Sequence, residues 1–479
     1  MHSRRLRRWI RLAAVTGALT GASAMSACEQ FLTADNPAAI PVDRLSDTSL
    51  VDLMANSAIA GMQGPNLFWH IWMGGIFTDE LVNLHVFAEE GLWDQRRVSL
   101  TGATYNGAFL YAPIARARWL ADSVAGRIRE VYGTAYGDSA LHDVRLARTY
   151  AMAGYNLILL AEDFCEAPLS TSEARYSRPY SSSELFAFAE QRFDSAIKIA
   201  AAAKTANSAV NTAAGLRWTR AADTVRNLAY VGMARAALGR GDKVKAAASA
   251  RQVVSLGGPN EFEYRAYYNS NTTLGLQNLM AERLSGGAGA TAGTISNTPF
   301  ISLDDARVPH PINATTGAPL AEAAQSGNWV VPNSPPSFST FDGTKIGADA
   351  TYGTSIRTAS RLEALYIIAE AEGPTAENIA FVESRRVAFP SSTARDPVTA
   401  ANFQQSLKTQ RSRDFYLDGH RLGDLRRYEK QQNIDLWPKG AYPRATNVVY
   451  GDQKCWPLTQ AEVTNNPMIP KPYVVPNGP

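Results

Sequence analysis

The sequence predicts a mainly α-helical protein, a scaffold of tetratricopeptide-like helix pairs with a loop-rich, ligand-facing subdomain. Three observations point there. Apolar and small residues recur at three- and four-residue spacing through several long segments. A glycine-centred turn, Gly239-Arg240-Gly241-Asp242, joins two alanine-rich segments. One long stretch, 257–356, loses the periodicity and fills with Gly, Ser, Thr, Asn and Pro.

Residues 1–27 have the three parts of an export signal: Arg4, Arg5, Arg7, Arg8 and Arg11, an apolar run from Leu12 to Leu19, then small residues up to Ala27. The run is too short and too rich in Ala and Gly to span a bilayer. Met25-Ser26-Ala27-Cys28 has the pattern of a lipobox, with Met25 where leucine is usual. Cleavage before Cys28 gives a thiol and an amine for acylation, and several acyl chains together anchor firmly where one does not. An ordinary signal peptide with Cys28 unmodified is the alternative. Residues 28–50 then read as a lipidated tether and lead-in, where Asn36-Pro37 and Pro41 exclude a helix before about Ser46. Losing the leader arginines takes the formal charge from +3 to −2. A nearly neutral chain with no basic stripe argues against nucleic-acid binding.

The helical region is expected over 51–256. Asp47 to Met62 reads as its first helix, and Tyr105 to Ile128, through Tyr111, Ile114, Trp119, Leu120 and Val124, as the next. Val144 to Phe164 presents Ala147, Ala151, Tyr155, Ile158 and Leu159 on one face. Ser183, as N-cap, opens a helix to Ala203. Val225–Leu238 and Lys243–Leu256 form a pair with tetratricopeptide spacing, with Tyr230 and Ala234 in the first member and Ala246 and Ala250 in the second. Small residues there let helices approach and stack on neighbours. Beyond the loop-rich insertion 257–356, Arg361–Glu372 and Ala376–Arg386 supply another pair within a C-terminal region 357–479, whose tail from Pro438 is proline-rich. An irregular stretch as long as the insertion is ordinarily functional or disordered; lying between scaffold helices, it reads as part of the ligand-facing subdomain.

Besides Cys28 only Cys165 and Cys455 occur, without CxxC spacing or a histidine cluster, so no metal site is expected. In an exported chain they either form a disulfide closing a long loop or stay as separately buried thiols. There is no HExxH, GxSxG or phosphate-binding loop. Gly287-Ala288-Gly289 lacks the preceding strand of a dinucleotide site. Asp79 and Glu80 are sequence neighbours, which seldom face each other across a glycosidic bond. The reading is therefore a non-enzyme without cofactor.

Aromatic residues crowd Phe68, Trp69, Trp72, Phe77, Phe87 and Trp93, with a second group at Tyr264, Tyr267, Tyr268, Asn269 and Trp329. Most such rings belong in a core. One that faces solvent can stack on the apolar face of a sugar while Asp, Asn and Arg bind hydroxyls. The candidate ligand-binding set is Trp72, Trp93, Tyr268, Asn269 and Trp329.

Several strings converge on one family. The run from Gln410 to Arg427, with Arg411, Asp418-Gly419-His420-Arg421 and Asp424-Leu425-Arg426-Arg427, resembles the C-terminal signature of the SusD/RagB family. Arg361 to Ala371 resembles its preceding helix, Asp305-Ala306-Arg307 its Asp-x-Arg turn, and Cys455-Trp456-Pro457-Leu458 with Asn466-Pro467 its closing segment. Asp79-Glu80 and Trp93 also fall where that family places them. Gln410 for the usual Glu, and Asp for Glu at 414 and 418, shorten or neutralise carboxylates. The resemblance implies a helical body with four tetratricopeptide-like units. It also implies a lipid-anchored protein of the outer membrane, facing outward, that binds an oligosaccharide or other nutrient for a SusC-like TonB-dependent transporter. Asp305, Arg307, Arg411, Asp418, Arg421, Asp424 and Arg426 are too many charges to bury singly and read as a network holding the last helix to the body; an anionic-substrate site is the alternative. Two other functions remain open: a glycoside-acting enzyme sharing the aromatic patch, and a tetratricopeptide adaptor for peptides.

Overall fold

The structure, a computed structural model, describes residues 42–83, 88–98, 106–136, 142–171, 173–208, 212–256, 262–269, 277–279, 293–295, 305, 307, 355–389, 396–442 and 447–476. The leader and Cys28 lie outside them. The chain divides into two units, Met1–Leu50 and Val51–Pro479. In the first, two 3₁₀ turns, Val42–Ser46 and Thr48–Leu50, are described. The Asp47 carboxylate accepts from the Ser49 N–H at 2.9 Å. The α-helix expected from Asp47 is thus replaced at its start by a 3₁₀ turn.

The second unit opens with helices α1 (Val51–Gln63) and α2 (Pro65–Phe77), strand β1 (Leu81–Asn83) and helix α3 (Ala88–Asp94). A π-helical segment, Asn106–Tyr111, runs into α4 (Ala112–Tyr136). Then come α5 (Val144–Asp163), the hairpin β2 (Glu166–Pro168) and β3 (Pro179–Ser181), α6 (Ser182–Ser208), α7 (Ala213–Arg240) and α8 (Lys243–Ala250). After β4 (Glu263–Ala266), β5 (Gly293–Ile295) and β6 (Ile356–Ser360), the chain closes with α9 (Arg361–Glu372), α10 (Ala376–Ala388), α11 (Phe403–Asp414), α12 (Arg421–Gln432) and α13 (Gln460–Asn465).

Local chemistry sets the boundaries. Ser181, not Ser183, caps α6: the Glu184 N–H donates to the Ser181 hydroxyl, and the Ser181 N–H donates back to the Glu184 carboxylate at 2.9 Å. Thr212 caps α7, which starts a dozen residues before the expected Val225, and Gly241 ends it in the left-handed region at φ +87°. Asp242 caps α8, which stops at Ala250 rather than Leu256. Ser360 and Thr375 cap α9 and α10. In α2 every described side chain from Leu67 to Phe77 is buried. Apart from His70 that stretch is apolar all round, so it shows no amphipathic period.

From α4 to α8 successive helices pack on one another, and α9 returns to pack on α7 and α8. The Phe193 ring of α6 sits where Gly154 of α5 and Gly232 of α7 leave room: a Cβ on Gly154 would lie 2.7 Å from it. Burying such a ring contributes about 1.5–3 kcal/mol. Among the described residues three two-stranded antiparallel sheets staple the body. In one, β4 pairs with β6 from Glu263 opposite Ser360 to Ala266 opposite Ile356, with a bulge at Tyr264/Arg265. That sheet ties both ends of the 257–356 stretch to the scaffold.

Candidate functional site

The signature residues form a buried ionic lattice between α12 and the elements around it. The Arg421 guanidinium donates twice to Asp79, both at 2.6 Å, joining α12 to the end of α2. Arg411 donates to Asp424 at 2.7 and 3.1 Å. Arg427 lies between Asp424, at 2.9 Å, and Glu370, at 2.8 Å. Arg307 donates to Asp305 at 2.8 Å, Asp414 at 3.1 Å and Gln410 at 2.7 Å. The neutral amide at 410 therefore still supplies an acceptor. Arg357 donates to Asp418 at 2.8 Å. Arg426 is held mainly by backbone: one of its amino groups donates to the carbonyls of Ala161, Glu162 and Phe164 at 2.6–3.1 Å. Charge-assisted bonds of this kind carry their full value only out of water.

The electrostatics follow from that burial. Burial alone would raise the Asp424 and Asp414 carboxyls; the guanidinium groups of Arg411 and Arg427, and of Arg385 and Arg307, outweigh it and hold both below the usual carboxylate range. Burial dominates at Glu80, raising it well above that range. For His420, burial disfavours the imidazolium, but Asp418 at 2.6 Å and Glu363 at 3.2 Å prevail and the pKa is raised. His70 is raised likewise, since Asp163 prevails over burial; its Nδ1 lies 2.8 Å from Asp163, and its Nε2 donates to the Gly419 carbonyl at 2.8 Å. All seven signature charges lie buried among protein partners, as a network holding the last helices to the body would require.

The aromatic expectations need correction. Trp72 and Trp93 do not face solvent: they are 0% and 1% exposed. Trp72 stacks near Phe68, and Trp93 meets Trp456 edge-on at 5.5 Å. Rings enclosed by other core side chains in this way bury more area inside than any sugar would cover. Tyr268 is partly buried and its hydroxyl donates to the Gln63 carbonyl at 2.7 Å, tying the exit of β4 to the end of α1. Asn269 is exposed, and Tyr267 is 72% exposed. Trp329 lies outside the described residues. The predicted set therefore does not form one exposed patch among the described residues.

Sequence reasoning passed over a surface cleft of about 440 Å³. Its walls are Ala108, Tyr111 and Ala112 at the start of α4, Ser170, Arg175 and Tyr176 in the β2–β3 connection, and Thr459, Gln460, Glu462 and Asn465 of α13 and its cap. Those walls are cross-tied. Cys165 and Cys455 form a disulfide. Beside it the Cys165 N–H donates to the Trp456 carbonyl at 3.1 Å, and the Trp456 N–H to the Asp163 carbonyl at 2.8 Å. Arg118 donates to the Ser170 carbonyl at 2.5 Å and Asn466 to the Ser177 carbonyl at 3.0 Å. The one sequence signal was the pair of lone cysteines, since Tyr176 stands in an unremarkable Ser/Arg-rich loop.

Among the described residues no group of three His, Cys, Asp or Glu could hold a metal ion, and no helix is long and apolar enough to cross a membrane. No family model and no curated protein matches the sequence. Solved structures do. A SusD superfamily protein from Bacteroides vulgatus aligns over 88% of this chain and 98% of its own, at 14% identity and a TM-score of 0.59. One from Bacteroides fragilis aligns over 88% and 99%, at 15% identity and 0.58. Surface glycan-binding protein A from Bacteroides thetaiotaomicron, in complex with laminarihexaose, aligns over 87% and 97%, at 12% identity and 0.61. Aligned along nearly the whole length of these structures, the chain has the SusD-like fold.

Proposed function

We propose that this protein is a surface glycan-binding lipoprotein of the SusD/RagB kind, held by acyl chains on Cys28 in the outer membrane and passing its ligand to a SusC-like TonB-dependent transporter. The observation that supports this is the fold, shared over 87% of the chain with a surface glycan-binding protein in complex with laminarihexaose. The buried ion lattice and stacked helices make a rigid frame, and preorganisation of that kind lowers the cost of binding. Capture needs stacking and hydrogen bonds only; no covalent step is required. The test is to incubate the pure mature chain with a panel of neutral oligosaccharides and analyse both binding and products. Retention of an intact glycan is expected. Release of shorter products would move the protein to the glycoside-acting enzymes, and retention of peptides alone would make it an adaptor.

A further inference from the structure

We infer that the disulfide-tied cleft between the start of α4, the β2–β3 connection and α13 is a subsite for a neutral pyranose. This rests on the glycan-binding reading above and gives it a location. The cleft of about 440 Å³ falls within the roughly 300–1,000 Å³ usual for small-molecule sites, with room for more than one sugar ring.

Its chemistry selects the class. Tyr176 is 36% exposed, and the Arg175 guanidinium sits 5.3 Å from the ring centroid. A ring already ordered by a cation loses little freedom on stacking against a sugar. Across the cleft α13 presents amides and a carboxylate. The Glu462 Oε1 accepts from Asn466 at 2.9 Å, and the Gln460 amide nitrogen donates to Thr464 at 2.9 Å. Glu462 Oε2, Gln460 Oε1 and the Asn465 amide keep capacity for a ligand. Hydroxyls both donate and accept, so they match a wall that mixes the two.

Charge separates this cleft from a second one on the same body. Here one arginine faces one glutamate, which sums to neutral. A concavity of about 570 Å³ beside the first half of α7 gathers Lys204, Arg220 and Arg226 around the single acid Asp223 and would favour anions. Ties also separate them: the disulfide, the bridge between Phe164 and Trp456, and the Arg118 and Asn466 bonds fix all three walls of the first cleft before any ligand arrives.

The test is isothermal titration of the mature, oxidised chain with laminarihexaose, cellohexaose, maltohexaose and xylohexaose. Unmodified protein is expected to bind at least one of them. Tyr176→Ala and Gln460→Ala are expected to weaken that hexaose about tenfold each, while Tyr176→Phe keeps most of the affinity because the stacking face survives. Both side chains are at the surface, and an unchanged circular dichroism spectrum shows that the variants fold. Full affinity in Tyr176→Ala and Gln460→Ala, with loss in Tyr267→Ala, would overturn the cleft and leave the glycan-binding reading standing. Absence of binding to every hexaose by the unmodified chain would overturn both.

Discussion

Replacing Gly232 by alanine should destabilise the protein although alanine is the better helix former. In the middle of a helix the exchange ordinarily gains about 1 kcal/mol. Here the new methyl would fall well inside 3.0 Å of the Phe193 ring. That ring is fully buried and meets Tyr155 edge-on at 5.2 Å. It cannot retreat, because moving from α7 drives it towards Gly154, where a Cβ would already be 2.7 Å away. Overpacking of a closed core costs about 1–3 kcal/mol, and a ring pinned on two sides belongs at the upper end. Less the helical gain, the net loss is about 2 kcal/mol. Urea unfolding followed by circular dichroism should show a lower midpoint at unchanged slope. Adding Phe193→Leu should recover part of the loss, so the double variant falls short of the sum of the singles by about 1–2 kcal/mol. Gly126, with no atom near its would-be Cβ, is the control, and Gly126→Ala should stabilise by about 0.4–1 kcal/mol. A Gly232→Ala protein as stable as the parent, with additive energies, would refute the wedged-ring account of how α5, α6 and α7 stack.

Three further outcomes follow from the ion lattice and the termini. Arg421→Met should cost about 3–5 kcal/mol, because it strands the buried Asp79 carboxylate, and a midpoint shift below 1 kcal/mol would contradict that. Stability should peak in mildly acidic solution. The raised His70 and His420 contribute fully below their ordinary 6.5 and lose that contribution as pH climbs through their higher folded values, whereas the depressed Asp414, Asp424 and Glu363 contribute above their ordinary 3.8 to 4.5 and lose it as pH falls. Unfolding across pH 3 to 9 should therefore give a maximum between about 4.5 and 6.5, and His420→Asn should flatten its alkaline side; a flat profile would contradict the assignment. Cys28→Ser should shift the full-length protein from the detergent phase to the aqueous phase on cloud-point partition, with loss of acyl mass, and an unchanged partition would exclude lipid at that residue.

Much of the scaffold could be read before any coordinates. The span of α9 matches its expected limits because Ser360 caps one end and Gly373 stops the other, both local signals. α5 was visible because one face alternates small and apolar residues against a more polar back. α2 was not, since full burial erases its period, and the same burial turned Trp72 from a supposed sugar platform into core. Trp93 failed for a related reason: its partner Trp456 stands hundreds of residues away, and periodicity is blind to that distance. The charge network was foreseeable because so many arginines and aspartates cannot be buried singly, yet which guanidinium meets which carboxylate depends on the fold. The cleft beside the disulfide was invisible because its three walls come from distant parts of the chain.

The central claim is a lipid-held receptor that works with a membrane barrel, and native purification of the full-length protein from outer membranes in mild detergent tests it most directly. A stable complex with a much larger TonB-dependent barrel protein is predicted. Recovery of a solitary, lipid-free polypeptide from the soluble periplasmic fraction would contradict the account.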